Sequence, residues 1–125
     1  LNLKTRVLEY SGANNPLIHI SGEELNYVKG NSQPVGLSVI DNKPFTNHKL
    51  KLKKGDMIYI YSDGYQDQFG GPKGKKYMVK RFKTFLKEMS KLTIDEQRVK
   101  VQEEFHDWKG KHDQVDDICV MGIRV

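Results

Sequence analysis

The sequence predicts an α+β fold, most simply helices packed on a sheet or on a β-sandwich. In the first half of the 125 residues, short runs with the composition of strands alternate with turns rich in Gly, Asn and Pro. In the second half, apolar residues recur at helical spacing. The last segment, 118–125, returns to the composition of a strand. Several strands, two helices and a returning strand therefore define the expected order of elements.

Three short strands are predicted near the start of the chain. They cover residues 6–10, 17–20 and 25–28, and the segments between them have the turn chemistry of Gly, Asn, Pro and Ser. The second and third strands are separated by a short turn. We expect these two to form a hairpin.

Two further strands are predicted before the helices. His48, Leu50 and Leu52 alternate with three lysines, which predicts a half-buried strand. Residues 54–56 are expected to turn the chain back. Residues 57–61 are apolar on both faces, which is typical of a central strand that is covered on both sides.

Two helices are predicted in the second half. The first has an apolar stripe with lysines between its members, formed by Met78, Phe82, Phe85, Leu86 and Met89. Thr93 and Glu96 have the spacing of a capping box, which begins the second helix. The apolar face of that helix contains Ile94, Val101, Phe105 and Trp108, and Gly110 ends it.

Composition and charge argue against several classes of protein. The formal net charge is +5, but the lysines are scattered and lack interleaved aromatic residues, which favours a solvated basic face over a nucleic-acid surface. No apolar stretch approaches the roughly 20 residues that span a bilayer, and no signal peptide opens the sequence. Cys119 is the one cysteine and lies in an apolar run, where we expect it to be buried. We expect a cytoplasmic domain.

Acidic residues flank two of the predicted strands. Asp63 follows the central strand in a tight Asp-Gly turn, and Asp116 and Asp117 precede the last strand. If these strands are antiparallel neighbours, the carboxylates of Asp63 and Asp116 converge. Close carboxylates repel each other unless a cation lies between them, and an all-oxygen site suits Mg²⁺ or Mn²⁺. The alternative is an ordinary turn and an ordinary acidic surface pair.

A glycine- and lysine-rich segment follows at residues 70–76. It departs from the Walker pattern of phosphate-binding loops, since no Ser or Thr follows its second lysine. As a flexible basic loop, with Lys73, Lys75 and Lys76, it is a candidate to contact a phosphorylated substrate, and a plain linker is the alternative. The histidine spacing does not predict a zinc site, and no serine lies in a nucleophile elbow.

Three sequence motifs occur in order over nearly the whole chain. Residues 8–17 have the sequence LEYSGANNPL, residues 55–64 the sequence GDMIYIYSDG, and residues 116–121 the sequence DDICVM. Together they resemble the SpoIIE-like phosphatases of the metal-dependent PPM (type 2C) superfamily. In the first motif, Asn14 stands where many members carry histidine. The run at 67–76 is similar to that of a bacterial subset, often fused to upstream sensory or repeat modules.

This resemblance implies an αββα-type sandwich of antiparallel sheets flanked by helices, with a binuclear Mn²⁺ or Mg²⁺ centre. It implies hydrolysis of phosphoserine or phosphothreonine by a water whose pKa the metals lower, without a covalent phosphoenzyme. By their positions in the motifs, Asp63 and Asp116 are metal ligands, and no other catalytic residue is expected. Gly64 permits the tight turn, and Asp117 orients its neighbours without binding metal.

The resemblance also implies an incomplete domain. The family carries another metal-binding aspartate on an earlier strand, and this sequence begins after that point without a start methionine. We therefore expect residues 1–125 to be the C-terminal portion of one phosphatase domain, its N-terminal part missing, with little or no activity alone. An incomplete sandwich exposes a strand edge, which favours a homodimer.

The partners that the resemblance implies are those of a bacterial signalling protein. They are a phosphorylated regulatory protein as substrate, for example an anti-sigma-factor antagonist, and an upstream sensor module that is able to anchor the protein to a membrane. The main alternative is a catalytically inactive phosphatase-like module that binds a regulatory protein. A basic nucleic-acid-binding domain is a third hypothesis.

Overall fold

The structure is a computed structural model that describes residues 1–36 and 43–125. It divides into two compact units, one of Leu1–Ile60 with Ile123–Val125 and one of Tyr61–Gly122. The elements are β1 (Val7–Tyr10), β2 (Leu17–Ser21), β3 (Glu24–Val28), β4 (His48–Lys51), β5 (Met57–Tyr61), α1 (Gly64–Asp67), β6 (Phe69–Gly70), β7 (Lys75–Lys76), α2 (Val79–Met89), α3 (Ile94–Lys109) and β8 (Val120–Arg124). The predicted α+β class is confirmed.

Antiparallel pairing organises the strands of the first unit. Strand β1 pairs with β4, with Leu8 opposite Leu50. Strand β2 pairs with both β3 and β5 in a sheet of order β3-β2-β5-β8. The predicted hairpin of β2 and β3 is therefore confirmed, and β5 is an inner strand as its sequence predicts.

The turn between β4 and β5 does not produce a hairpin. The chain turns at 54–56 as expected, and β4 then pairs with β1 while β5 pairs with β2. Leu8, Leu17, Leu52 and Ile58 form one buried cluster to which both sheets contribute.

A buried polar pair lies at the start of β5. The Nε2 atom of His19 lies 2.8 Å from Oδ2 of Asp56, and both side chains are almost inaccessible to solvent. The same Oδ2 accepts a hydrogen bond of 2.8 Å from the backbone amide of Lys53. Burial by itself raises the pKa of the Asp56 carboxyl, but the hydrogen bonds from Lys53, His19 and Ser21 outweigh it, and the net pKa is lowered.

Asp56→Asn is expected to lower the free energy of unfolding by about 2 kcal/mol at pH 7, because it weakens charge-assisted hydrogen bonds in a buried place. A carboxyl whose pKa is lowered by folding stabilises the protein above its unfolded pKa and loses that contribution as the pH falls through the folded value. The difference in the free energy of unfolding between wild type and Asp56→Asn should therefore become smaller below about pH 4. Urea denaturation at pH 7 and pH 3 measures it, and the exposed Glu24→Gln is the control. An equal difference at both pH values would contradict the prediction.

The second unit has an aromatic core. The ring of Tyr65 lies 5.3 Å from Tyr77, 4.5 Å from Phe82 and 5.3 Å from Phe105, measured between centroids. Helix α2 also buries Leu86 and Met89, as its stripe predicts. The capping box of Thr93 and Glu96 is confirmed at the start of α3, and Gly110 is its C-cap.

Two residues of the predicted apolar helix stripes are exposed. Met78 precedes α2, has a φ of 73° and is 59% exposed, and its backbone amide donates to the carbonyl of Gln66. Ile94 is the first residue of α3 and is 45% exposed. Since helical side chains tilt toward the N-terminus, that of Ile94 extends past the end of the packed face. Gln97 is buried one turn later in its place.

The last strand is more exposed than its apolar composition predicts. Strand β8 begins at Val120, two residues later than expected, and stands at the end of the sheet order, beside β5 alone among the described strands. Cys119 is exposed, so the expected burial of this residue is wrong. The homodimer expected from an exposed strand edge stays a prediction. In the described ranges, no helix has both the length and the apolar character of a membrane span.

Candidate metal centre

Asp63 lies where a buried strand changes into a helix. Strand β5 ends at Tyr61, and Asp63 is the N-cap of α1 with a φ of −71° and a ψ of −17°. An N-cap aspartate ordinarily has extended backbone and accepts a hydrogen bond from a helix amide. Here the side chain of Asp63 makes no such bond, and the residue is exposed. Its carboxylate is therefore not used by the helix.

Ser62 joins this turn to the segment before β8. Its hydroxyl donates to the carbonyl of Asp117 at 2.9 Å and accepts from the amide of Cys119 at 2.9 Å. Its own amide donates to the carbonyl of Cys119 at 3.0 Å. These three bonds hold the residue before Asp63 against residues 117–119.

Gly64, the residue after Asp63, also lies close to the backbone of Asp117. A Cβ atom built on Gly64 would lie 2.4 Å from the carbonyl oxygen of Asp117. That distance is shorter than any real Cβ contact, so a side chain at this position would displace backbone. Both neighbours of Asp63 thus contact the backbone of the acidic pair, and the structure brings the predicted Asp63 and Asp116–Asp117 segments together.

The acidic pair itself is ordered by local hydrogen bonds. Oδ1 of Asp116 accepts from the amide of Asp117 at 2.7 Å, and the carbonyl of Asp116 accepts from Nε2 of Gln114 at 2.9 Å. Both acidic residues are exposed. The bonds of Asp117 that hold this segment run through its amide and carbonyl, so the expected orienting role of its carboxylate stays a prediction.

The donor chemistry of these residues fits a hard divalent cation. Carboxylate oxygens are the ligands that Mg²⁺ and Mn²⁺ prefer, and Asp63 and Asp116 present carboxylates at the surface. Within residues 1–36 and 43–125, no three His, Cys, Asp or Glu side chains are grouped to hold a metal ion. The assignment of Asp63 and Asp116 as metal ligands therefore stays a prediction.

The predicted basic loop forms a hairpin of β6 and β7, with Gly70 opposite Lys75. Lys76 has a partner already, since its Nζ lies 3.2 Å from Oδ2 of Asp67. Lys73 and Lys75 are exposed. The role of Lys73, Lys75 and Lys76 in contacting substrate stays a prediction.

Two residues with structural roles at this site had no role assigned from sequence. Ser62 stands inside the GDMIYIYSDG motif, directly before Asp63, and this position in the motif is the signal that points to it. Gln68 is fully buried, although glutamine is ordinarily a surface residue. No periodicity or spacing in the sequence indicates that burial.

Comparison with known proteins agrees with the motifs. The sequence model of the family described as Stage II sporulation protein E (SpoIIE) matches residues 1–125. No curated protein matches the sequence significantly. Among solved structures, the SiaA-PP2C domain of Pseudomonas aeruginosa is 29% identical with a TM-score of 0.89. That match covers 98% of this chain and 48% of the SiaA-PP2C chain.

Two structures of SpoIIE from Bacillus subtilis share the fold at lower identity. One contains the PP2C phosphatase domain with a fragment of the regulatory domain, and it is 21% identical with a TM-score of 0.73 over 98% of this chain and 35% of the other. The other is the phosphatase domain in a crystal form without domain swapping, 21% identical with a TM-score of 0.59 over 94% of this chain and 49% of the other.

These matches confirm the predicted fold class, because antiparallel sheets and helices agree with the fold of a PP2C domain over almost the entire chain. The chain spans about half the length of the SiaA-PP2C structure. With a family match over all 125 residues and this shared fold, the chain belongs to the SpoIIE family and is similar to PP2C-type phosphatase domains, as its three motifs predicted.

Proposed function

We propose that this chain supplies one part of the active site of a metal-dependent protein serine/threonine phosphatase. The observation that supports the proposal is the joining of two acidic segments, in which Ser62 and Gly64 hold the turn of Asp63 against the backbone of Asp117. The family match supports the same class of activity. In this proposal Asp63 and Asp116 bind Mn²⁺ or Mg²⁺, and the ligands that the described residues lack come from elsewhere in the protein.

The residues of this chain have separate tasks in the proposed reaction. A divalent metal bound at this site would lower the pKa of a water molecule. The resulting hydroxide would attack the phosphorus of a phosphoserine or phosphothreonine, while the bond from phosphorus to the side-chain oxygen breaks and that oxygen takes up a proton. The carboxylates of Asp63 and Asp116 would hold this metal. The hydroxyl of Ser62 fixes the distance between their segments, and Gly64 allows the backbones to approach.

The substrate in this proposal is a phosphorylated regulatory protein, of the class of anti-sigma-factor antagonists. The exposed Lys73 and Lys75 supply positive charge that attracts a phosphorylated surface. The upstream sensor, the cytoplasmic location and the binuclear form of the centre are parts of the same proposal. Its alternative is a phosphatase-like module that binds such a protein without hydrolysing its phosphate.

The test is phosphate release from a phosphoserine peptide by the complete natural protein that contains this chain. Release is expected with Mn²⁺ and is expected to stop when the metal is removed with a chelator and to return when Mn²⁺ is restored. Binding of the phosphoprotein without turnover under any divalent metal, by a protein that circular dichroism shows to be folded, would favour the inactive module.

A further inference from the structure

Gln68 is a buried polar residue at the end of the helix that begins after Asp63. It is the C-cap of α1, and its exposed fraction is 0%. Burial of a primary amide is unfavourable unless its donors and acceptor are paired. The side chain of Gln68 is paired through hydrogen bonds to three backbone groups, and two of these belong to the loop just before the acidic pair.

The contacts of the Gln68 side chain reach a loop that is remote in sequence. Its Nε2 donates to the carbonyl of Asp113 at 2.8 Å and to the carbonyl of Phe69 at 2.9 Å. Its Oε1 accepts from the amide of Val115 at 3.3 Å. Residues 113–115 lie at the surface and directly precede Asp116. One buried amide therefore fixes an exposed loop at two points.

The backbone of Gln68 is held as firmly as its side chain. Its carbonyl accepts from the amide of Tyr77 at 2.9 Å and from Nε1 of Trp108 at 3.0 Å. The carbonyl of Trp108 in turn accepts from the amide of Gly71 at 2.8 Å. Gln68 is therefore anchored to the hairpin and to the end of α3, so that it serves as a fixed support for the loop.

We propose that Gln68 is a positioning residue for the acidic pair, an inference that rests on the proposed function. Helix α1 begins immediately after Asp63 and ends at Asp67, with Gln68 as its C-cap. The loop that Gln68 holds leads directly into Asp116. Ser62 fixes the acidic pair from its C-terminal side, at residues 117 and 119, and Gln68 fixes it from its N-terminal side, at residues 113 and 115. The two together set the position of Asp116 relative to Asp63 before a metal binds.

The test compares Gln68→Met with Gln97→Met in the complete natural protein. Methionine keeps the volume of glutamine and removes the hydrogen bonds of its amide. Gln97 is also a buried glutamine, 5% exposed, but its Nε2 donates to the carbonyl of Leu92 at 3.0 Å, at the other end of α3. The two variants therefore carry the same chemical change but remove hydrogen bonds to different segments of the backbone.

Two measurements are made on both variants. In the metal-free protein, Gln68→Met is expected to speed hydrogen exchange of the backbone amides in 113–117, because the loop opens more often. The Kd of Gln68→Met for Mn²⁺ is expected to rise about 10- to 100-fold, the usual effect of losing a group that orients a metal ligand. Turnover should recover at high Mn²⁺, while Gln97→Met should change neither exchange in the loop nor the Kd.

Unchanged exchange in 113–117 together with unchanged Mn²⁺ affinity in Gln68→Met would overturn the proposal. Equally faster exchange in 113–117 and an equally higher Kd for Mn²⁺ in Gln97→Met would also overturn it, since that result shows only a general loss of stability. If Gln68→Met does not fold, Gln68→Asn retains an amide that is one methylene too short to reach the loop, and the same results are expected from it. If the wild-type protein neither binds Mn²⁺ nor hydrolyses phosphoserine, the proposed function is wrong, and the exchange comparison alone then decides whether Gln68 holds the loop.

Discussion

Asp63→Asn is expected to reduce Mn²⁺-dependent phosphate release by at least about 100-fold, since losing even a group that only orients a metal ligand costs about 10- to 100-fold. Asparagine has nearly the same shape as aspartate but lacks its charge, and a neutral amide is a weaker ligand for a hard cation. The side chain of Asp63 makes no cap hydrogen bond. The free energy of unfolding should therefore change by less than about 0.5 kcal/mol, as at an ordinary surface position.

Asp116→Asn is expected to have an effect of the same size. Its Oδ1 accepts from the amide of Asp117, and the carbonyl oxygen of an asparagine is able to keep that bond. The substitution therefore removes charge while leaving the local conformation in place. Steady-state kinetics over a range of Mn²⁺ concentrations measures both variants, with the exposed Asp107→Asn as the control. Wild-type turnover in either variant would remove that residue from the proposed ligand set.

Gly70→Ala is expected to be the most destabilising of the glycine substitutions in the β6–β7 hairpin. A Cβ atom on Gly70 would lie 1.8 Å from the carbonyl oxygen of Trp108 and 2.9 Å from its indole ring. Because backbone and a large ring must both move, the loss should reach or exceed about 3 kcal/mol, the upper part of the range for overpacking. Thermal and urea denaturation measure the loss.

Gly74→Ala is the matched control in the same hairpin. Its φ of 56° is unfavourable for alanine, but the closest atom to its Cβ is at 3.4 Å in the ring of His112, an ordinary contact. The expected loss is about 1–2 kcal/mol from backbone strain. If Gly70→Ala were no more destabilising than Gly74→Ala, the close packing of the hairpin on Trp108 would be contradicted.

The elements that depend on neighbouring residues were predictable from sequence. The period of two around Leu50, the helical period of α2, and the capping box of Thr93 and Glu96 all specify local structure through residues a few positions apart. The positions of Asp63 and Asp116 beside strands also follow from sequence, because the turn and the acidic pair stand next to β-type runs. These features gave the α+β class and the candidate ligands.

The errors arose where burial depends on what lies beside an element. Cys119 has an apolar sequence environment, but it precedes a strand at the end of the sheet order and is exposed. Strands β4 and β5 are separated by a short turn but pair with different strands, β4 with β1 and β5 with β2. Whether an apolar strand has a neighbouring strand on both sides depends on the assembled sheet. The sequence of the strand alone does not predict it.

By itself, the sequence determined the five strands before residue 62, the two long helices, the last strand and the residue types that suit a metal site, because periodicity, caps and motifs act over short distances along the chain. It did not indicate the short helix α1 or the hairpin of β6 and β7. The tertiary structure decided how the two acidic segments are held together. The hydroxyl of Ser62 reaches 55 residues along the chain to Asp117, and the amide of Gln68 reaches 45 residues to Asp113. The partners in such bonds are far apart in sequence, so no local sequence pattern identifies them before the chain has folded. Their geometry holds the two acidic segments together.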